Sequence, residues 1–208
     1  MPIEFKHVHF TYDTLDEPLY QDVQLTLDTK WKLGLIGRNG RGKTTLLKLL
    51  MEELPYTGVI FSDEPFVYFP FEIADRSMLT LYAIEAVMPL EQWRLERECQ
   101  LLGVDKAVLW TPFEQLSGGE QTKVMLAALF CDENHFPLLD EPTNHLDVKA
   151  RAIVARYLKK KSGFIVVSHD RNFIDEVVDH ILVIEKSKLA LYKGDFSTYE
   201  EQKKLQDE

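Results

Sequence analysis

The stretch that decides the fold is Gly37-Arg38-Asn39-Gly40-Arg41-Gly42-Lys43-Thr44, which fits the phosphate-loop pattern G-x-x-x-x-G-K-[ST] at every required position. An apolar run typical of a strand, Trp31 to Ile36, precedes it, and leucines with the spacing of a helix face follow it. Glycines let the backbone wrap a phosphate at a helix N-terminus, where N–H groups point inward. We therefore expect a nucleoside triphosphate here, with Lys43 reaching its β- and γ-phosphates and the Thr44 hydroxyl binding Mg²⁺. A glycine-rich turn without function is the alternative.

A pair of carboxylates supplies the second part of such a site. The run Phe136-Pro137-Leu138-Leu139-Asp140-Glu141 is apolar until its last two residues. Asp140 is expected in the Mg²⁺ shell, and Glu141 is expected to polarise the attacking water. Two surface acids after a strand are the plainer interpretation. Proline removes a donor from a strand, so we expect Pro137 at the strand's first residue.

Composition sets the outer limits. The chain has 208 residues, 45% of them hydrophobic and 28% charged, which is typical of a soluble globular domain rather than a disordered or collagen-like chain. No apolar run reaches the ~18 residues of a membrane span, and the first residues lack a signal-peptide pattern. Cys99 and Cys131 have no metal-ligand spacing, which favours a reducing, cytoplasmic setting. The net charge of −10 argues against broad non-specific binding to nucleic acid.

A serine and two glycines lie between the two phosphate-site motifs, in Leu116-Ser117-Gly118-Gly119-Glu120-Gln121. This stretch resembles the signature loop of the ATP-binding cassette (ABC) superfamily, which reads Leu-Ser-Gly-Gly followed by Gln or Glu. The resemblance covers essentially the whole chain. It implies an α/β fold: a phosphate-loop NTPase cassette with a mainly parallel core sheet, an N-terminal antiparallel β subdomain and a small helical subdomain.

The resemblance also implies roles for individual residues. The signature residues Ser117, Gly118, Gly119 and Glu120 would contact the ATP held by an opposing cassette. His169, in Val166-Val167-Ser168-His169-Asp170, matches the switch histidine that contacts the γ-phosphate, and Asn144 to Asp147 occupy the D-loop. Tyr12 matches the aromatic residue that stacks on adenine, although a packing role in a sheet would also suit it. The remaining residues expected to hold the ATP are those of the phosphate loop: Gly37, Arg38, Asn39, Gly40, Arg41, Gly42, Lys43, Thr44 and Thr45.

One position departs from the family pattern. Cassettes carry a glutamine at the start of the helical subdomain, where this sequence has Phe71 followed by Glu72. Phenylalanine cannot bind a metal, so either Glu72 substitutes for the glutamine or the contact is absent. Slow or differently coupled hydrolysis is the expected consequence.

The domain organisation follows from changes along the chain. We expect one ABC ATPase domain over 1–208, with its core over about 1–70 and 116–199 and its helical subdomain over about 71–115. In the helical part, Ser77 is the predicted N-cap of a first helix, and a second helix is expected from about Leu90 to Leu102. At the start of the chain, alternation predicts a strand with Ile3, Phe5, His7 and His9 on one face and Val8 and Phe10 on the other.

Two segments resemble the ABC-F group in particular. Asn144-His145-Leu146-Asp147 replaces the Ser-Ala-Leu-Asp usual in transporters, and Leu191 to Tyr199 is similar to the element that closes an ABC-F cassette. ABC-F proteins carry two cassettes joined by a helical linker and act on the ribosome, and some protect it from antibiotics. The resemblance therefore implies the first cassette of such a protein, with its linker beginning at about 200–208 and a second cassette as partner. A transporter ATPase subunit and a nucleotide-gated scaffold with little turnover are the competing hypotheses.

Overall fold

Strands and helices alternate through most of the chain in the computed structural model, which describes residues 2–37 and 40–207. The strands are β1 Pro2–Phe10, β2 Tyr20–Asp28, β3 Lys32–Gly37, β4 Thr57–Ser62, β5 Phe66–Phe69, β6 Phe136–Asp140, β7 Phe164–Val167, β8 His180–Glu185 and β9 Lys188–Lys193. The helices are α1 Gly40–Leu50, α2 Thr80–Glu85, α3 Gln92–Leu101, α4 Gly118–Leu129, α5 Val148–Lys159, α6 Arg171–Val177 and α7 Phe196–Asp207.

The larger sheet has the strand order β5-β6-β7-β3-β8-β9, and its strands are parallel except for β9. All four residues of β7 are buried, as expected for a strand covered on both faces. The expected mainly parallel core sheet is therefore confirmed. Because the strands share one direction, the residues that follow β3, β6 and β7 meet at one edge of the sheet, where ligands of open α/β sheets bind.

Pro137 is the second residue of β6 and not the first, so that prediction was wrong. Its neighbour Phe136 already belongs to the strand and donates its backbone N–H to the Pro65 carbonyl at 2.9 Å. The pairing of β6 with β7 begins at Leu138. The proline is tolerated because the ladder on that side starts one residue later.

The smaller sheet is antiparallel, with the order β2-β1-β4. Its first strand does not alternate as predicted, because Ile3, Phe5, Val8 and Phe10 are all buried. The register with β2 shifts between Phe5 and Val8, and His7 in that interval has a φ of 50°. The extra residue of this β-bulge turns the strand, so that the inward face changes from odd to even positions.

The segment over 71–115 is helical, but its first helix begins later than predicted. Ser77 is occupied in a turn, where its backbone N–H and its hydroxyl both donate to Asp75. The helix α2 starts at Thr80, whose N–H donates to the Thr111 carbonyl at 2.9 Å. A long-range backbone pairing therefore sets the helix start. The second helix, α3, lies where it was expected, and Gly103 follows it with a φ of 73°.

A buried carboxylate joins this helical segment to the core. Glu98 of α3 is 2% exposed; it accepts hydrogen bonds from the Tyr157 hydroxyl and, at 2.7 Å, from Lys161 Nζ. Burial and the bond to Glu98 raise the pKa of Tyr157, which therefore stays a neutral donor. The Glu98 carboxylate thus receives hydrogen bonds from α5 and from the residues just after it. These contacts connect the helical segment to the core of the protein.

Candidate functional site

The phosphate loop connects β3 to α1 at the carboxyl edge of the parallel sheet. Lys43 Nζ donates to the Gly37 carbonyl at 3.1 Å, and the Tyr20 hydroxyl donates to the Gly42 carbonyl at 2.5 Å. The first turn of α1 carries no acidic side chain. The first N–H groups of a helix have no partner within the helix, and together with the lysine they give this end of α1 a positive polarity that suits an anion. The contacts predicted for Arg38 and Asn39 lie outside the described residues, and the first turn contributes the backbone of Gly40 and Arg41.

The two predicted metal-binding side chains follow different strands of this sheet. Thr44 is the fifth residue of α1 and is half-buried, and Asp140 is the last residue of β6. The Asp140 Oδ2 atom accepts a hydrogen bond from the Tyr68 hydroxyl at 2.5 Å. A hydroxyl and a carboxylate are hard oxygen donors of the kind Mg²⁺ takes when it keeps several waters and binds substrate phosphates. The donor set therefore fits Mg²⁺ bound together with a nucleotide. Among the described residues, no group of three or more His, Cys, Asp or Glu side chains could hold a metal alone.

Tyr68 is a site residue that the sequence reasoning missed. It lies in β5, directly beside β6, and its ring packs with the apolar core around α1. Burial and the hydrogen bond to Asp140 raise its pKa above the usual tyrosine range, so the hydroxyl keeps its proton. Nothing in the sequence signals this pair, because the two residues are 72 positions apart.

Glu141 and His169 come together at the ends of β6 and β7. Glu141 has a φ of 51°, and its backbone N–H donates to the Val167 carbonyl at 2.8 Å. Its carboxylate pairs with His169 Nδ1 and accepts the His169 backbone N–H at 3.3 Å. The backbone hydrogen bond to the end of β7 helps to hold Glu141 in this left-handed conformation. The histidine side chain is 82% exposed, so it can turn toward a ligand beside the glutamate.

Tyr12 and Thr45 form a contact of their own. The Tyr12 hydroxyl and Thr45 Oγ1 are 2.6 Å apart, and the Phe10 ring meets the Tyr12 ring edge-on at 4.7 Å. Thr45 is 1% exposed, so its hydroxyl is used within the protein. This pair ties the aromatic residue to the helix that carries the phosphate loop. Stacking of Tyr12 on adenine stays a prediction.

The signature loop starts α4. Ser117 is the N-cap, and its hydroxyl accepts the Glu120 N–H at 3.2 Å while the Glu120 carboxylate accepts the Ser117 N–H at 3.0 Å. This reciprocal pair is a capping box, so Glu120 has a structural role in the cap. A Cβ added at Gly118 would meet nothing within 4 Å, and one at Gly119 would meet only Leu146 at 3.8 Å. Neither glycine is therefore required by packing within the described residues.

The D-loop leads directly into α5. Asp147 caps that helix by accepting the Ala150 N–H at 2.7 Å, and Leu146 is buried. Where the family glutamine would stand, Phe71 packs half-buried against the helical core, and the neighbouring Glu72 is exposed. The phenylalanine is used in packing and offers no ligand.

A cleft of about 1020 Å³ opens beside the phosphate loop. Its walls include Gly37 and Lys43 from the loop, His169 from the β7 end, and Tyr199 and Lys203 from α7. The phosphate loop and the histidine therefore share one open space. No helix among the described residues is both long enough and apolar enough to cross a membrane.

Comparison with known proteins gives consistent matches. The family model described as "ABC transporter" matches residues 20–144. The ribosome protection protein VmlR of Bacillus subtilis is 34% identical over 91% of this chain and 32% of its own length. ABC transporter F family member 5 of Arabidopsis thaliana is 31% identical over 95% of this chain and 30% of its own length. ATP-binding cassette sub-family F member 2 of Mus musculus is 33% identical over 99% of this chain and 35% of its own length. The chain thus spans about a third of the length of these relatives.

Solved structures show the same fold. The dimeric structure of MJ0796, a bacterial ABC transporter cassette, superposes with a TM-score of 0.75 at 20% identity, over 92% of this chain and 98% of that one. A bacterial Atm1-family ABC exporter with ATP bound gives a TM-score of 0.78 at 19% identity, over 97% of this chain and 40% of that one. The expected cassette architecture is confirmed by these likenesses.

Proposed function

The chain belongs to the ATP-binding cassette family, and on that premise we propose that it is a Mg²⁺-dependent ATPase of the F group that works against a second cassette. The observation that carries the proposal is the common position of four groups. Asp140 ends β6, and Lys43, Glu141 and His169 follow β3, β6 and β7, so all four lie at the carboxyl edge of one parallel sheet. The F-group relatives support the assignment within the family.

Binding is assigned to the phosphate loop and α1. The ammonium group of Lys43 leaves the Gly37 carbonyl and pairs with the β- and γ-phosphates, while the α1 N–H groups hold phosphate oxygens. The Thr44 hydroxyl and Asp140 would hold Mg²⁺, which neutralises phosphate charge when it is bound. Adenine stacks on Tyr12, whose ring is fixed through Thr45 and Phe10.

Hydrolysis is assigned to the pair at the ends of β6 and β7. Glu141 accepts a hydrogen bond from the attacking water and orients it in line with the γ-phosphate. His169 donates a hydrogen bond to the γ-phosphate oxygens on which negative charge develops. Its mostly exposed ring can turn from the Glu141 carboxylate to the phosphate.

The second cassette is proposed from the signature loop. Gly118 lies at a helix N-terminus with open space around it, so a requirement for glycine there would come from a ligand outside this chain. In the proposed assembly, Ser117 and both glycines contact ATP on the partner cassette. Alone, each chain has half of each site, which would make hydrolysis by the separate domain slow.

We also propose that the assembly acts on the ribosome, through a linker that α7 begins. The name of the Bacillus subtilis relative, a ribosome protection protein, supports this part. The net charge of −10 fits contacts made by other segments, since an acidic surface does not attract RNA.

Phosphate release tests the catalytic assignment. We expect Glu141→Gln to bind Mg²⁺ and ATP like the wild type but to lose at least about 100-fold in turnover. Glu133→Gln, at an exposed acid in the loop before β6, is the matched control and should keep full turnover. Equal phosphate release by wild type and Glu141→Gln would refute the assignment.

A further inference from the structure

The contact between Tyr68 and Asp140 carries an inference about how the metal-binding carboxylate is aimed. The two strands that hold these residues, β5 and β6, pair in parallel, with Tyr68 opposite Leu138 and Phe69 opposite Leu139. The tyrosine hydroxyl reaches across the strand ends to Asp140 Oδ2 at 2.5 Å. A hydrogen bond to a carboxylate fixes its rotamer and engages one of its two oxygens.

The position of Tyr68 makes its hydroxyl a fixed donor. Its ring packs with the core around α1, on the same side as the half-buried Phe66. A ring held in this way cannot follow Asp140 if the carboxylate turns. The hydroxyl therefore holds Oδ2 in place and leaves Oδ1 as the oxygen available to a ligand at the sheet edge.

The residues that follow β5 do not duplicate the contact of the Tyr68 hydroxyl with Asp140. Phe71 packs half-buried against the helical core, and Glu72 is exposed. Neither of these two residues makes a hydrogen bond to Asp140 within the part of the chain that the structure describes. The polar contact on this side of the site comes from the strand itself.

We propose that Tyr68 is a positioning residue for Mg²⁺: its hydroxyl orients Asp140 so that one carboxylate oxygen faces the metal of a bound Mg²⁺–ATP. This inference rests on the proposed function. It assigns to Tyr68 an effect on metal-dependent affinity and none on metal-free nucleotide binding. A purely structural tyrosine would affect both equally.

The test compares nucleotide affinity with and without metal. A fluorescent ATP analogue is titrated into the full chain in Mg²⁺ and in EDTA, for wild type, Tyr68→Phe, Asp140→Ala and the double variant. Tyr68→Phe keeps the ring and removes one oxygen. Tyr82→Phe, at a 45% exposed tyrosine on α2, is the matched control.

We expect Tyr68→Phe to weaken binding by about 3- to 10-fold in Mg²⁺ and to leave it unchanged in EDTA. In the Asp140→Ala background, Tyr68→Phe should cause no further loss, since the two residues act through one contact. Tyr82→Phe should match the wild type in both conditions.

Three results would overturn the inference: Mg²⁺ affinity equal to the wild type in Tyr68→Phe, an equal loss in EDTA, or a further loss in the Asp140→Ala background. These results are distinct from failure of the proposed function. If the proposed function were wrong, the wild type would bind the analogue no better than Lys43→Ala does, whatever the residue at position 68.

Discussion

Gly118 offers a substitution whose effects on stability and on assembly have opposite signs. The residue is the first of α4, its φ is outside the left-handed region, and an added Cβ meets nothing within 4 Å. Gly118→Ala therefore costs no packing in the free chain. It removes backbone freedom from the unfolded state, which stabilises the protein by about 0.4–1 kcal/mol. For a chain of this size the melting temperature should rise by roughly 1–4 °C.

The same methyl group would project toward the partner's phosphates in the proposed assembly. Overpacking of a closed contact costs about 1–3 kcal/mol, which corresponds to a roughly 5- to 150-fold weaker association. The assay is sedimentation velocity with Mg²⁺ and ATP in the Glu141→Gln background, where the proposed mechanism predicts slow consumption of the nucleotide. A lower melting temperature would refute the local geometry, and unchanged association would refute the role in the sandwich.

Three further predictions concern the fold. Gly58 has a φ of 92°, and a Cβ there would lie 2.2 Å from the His7 carbonyl oxygen, so Gly58→Ala should destabilise by at least about 2 kcal/mol in urea unfolding; stability equal to the wild type would contradict the bulge geometry. Glu98→Ala leaves Lys161 without its buried partner and should lower the free energy of unfolding by about 3–5 kcal/mol in the same assay. A loss below about 1 kcal/mol would be evidence that this contact does not connect the helical segment to the core. Burial raises the pKa of both cysteine thiols to about 12, so iodoacetamide at pH 8 should label neither in the native chain and both after unfolding; rapid native labelling would show that the thiols are accessible.

Local sequence patterns predicted the strands and helices on which the candidate site residues lie. The phosphate loop and the acidic pair were identified from short motifs, because each motif needs a strand directly before it and the apolar runs supplied those strands. The parallel sheet then brings Lys43, Asp140 and Glu141 to one edge without further information. The pairing of Glu141 with His169 follows from the adjacency of β6 and β7.

Features that depend on long-range contacts could not be predicted. The β1 bulge reverses the inward face after Phe5, and alternation alone does not show an inserted residue. The start of α2 is set by the backbone partner of Thr80 at Thr111, although Ser77 has the better local cap chemistry. The contact of Tyr68 with Asp140 is of the same kind, because it joins residues far apart in sequence whose strands pair side by side.

Equilibrium binding of Mg²⁺ and ATP tests the central claim most directly. Lys43→Ala removes the ammonium group that faces the phosphate loop, and Lys48→Ala removes an exposed one from the last turn of the same helix. The account predicts that calorimetric titration will show binding by the wild type and Lys48→Ala, with at least about a tenfold loss in Lys43→Ala. Equal binding by all three chains, or binding by none, would contradict the assignment of this loop as the nucleotide site.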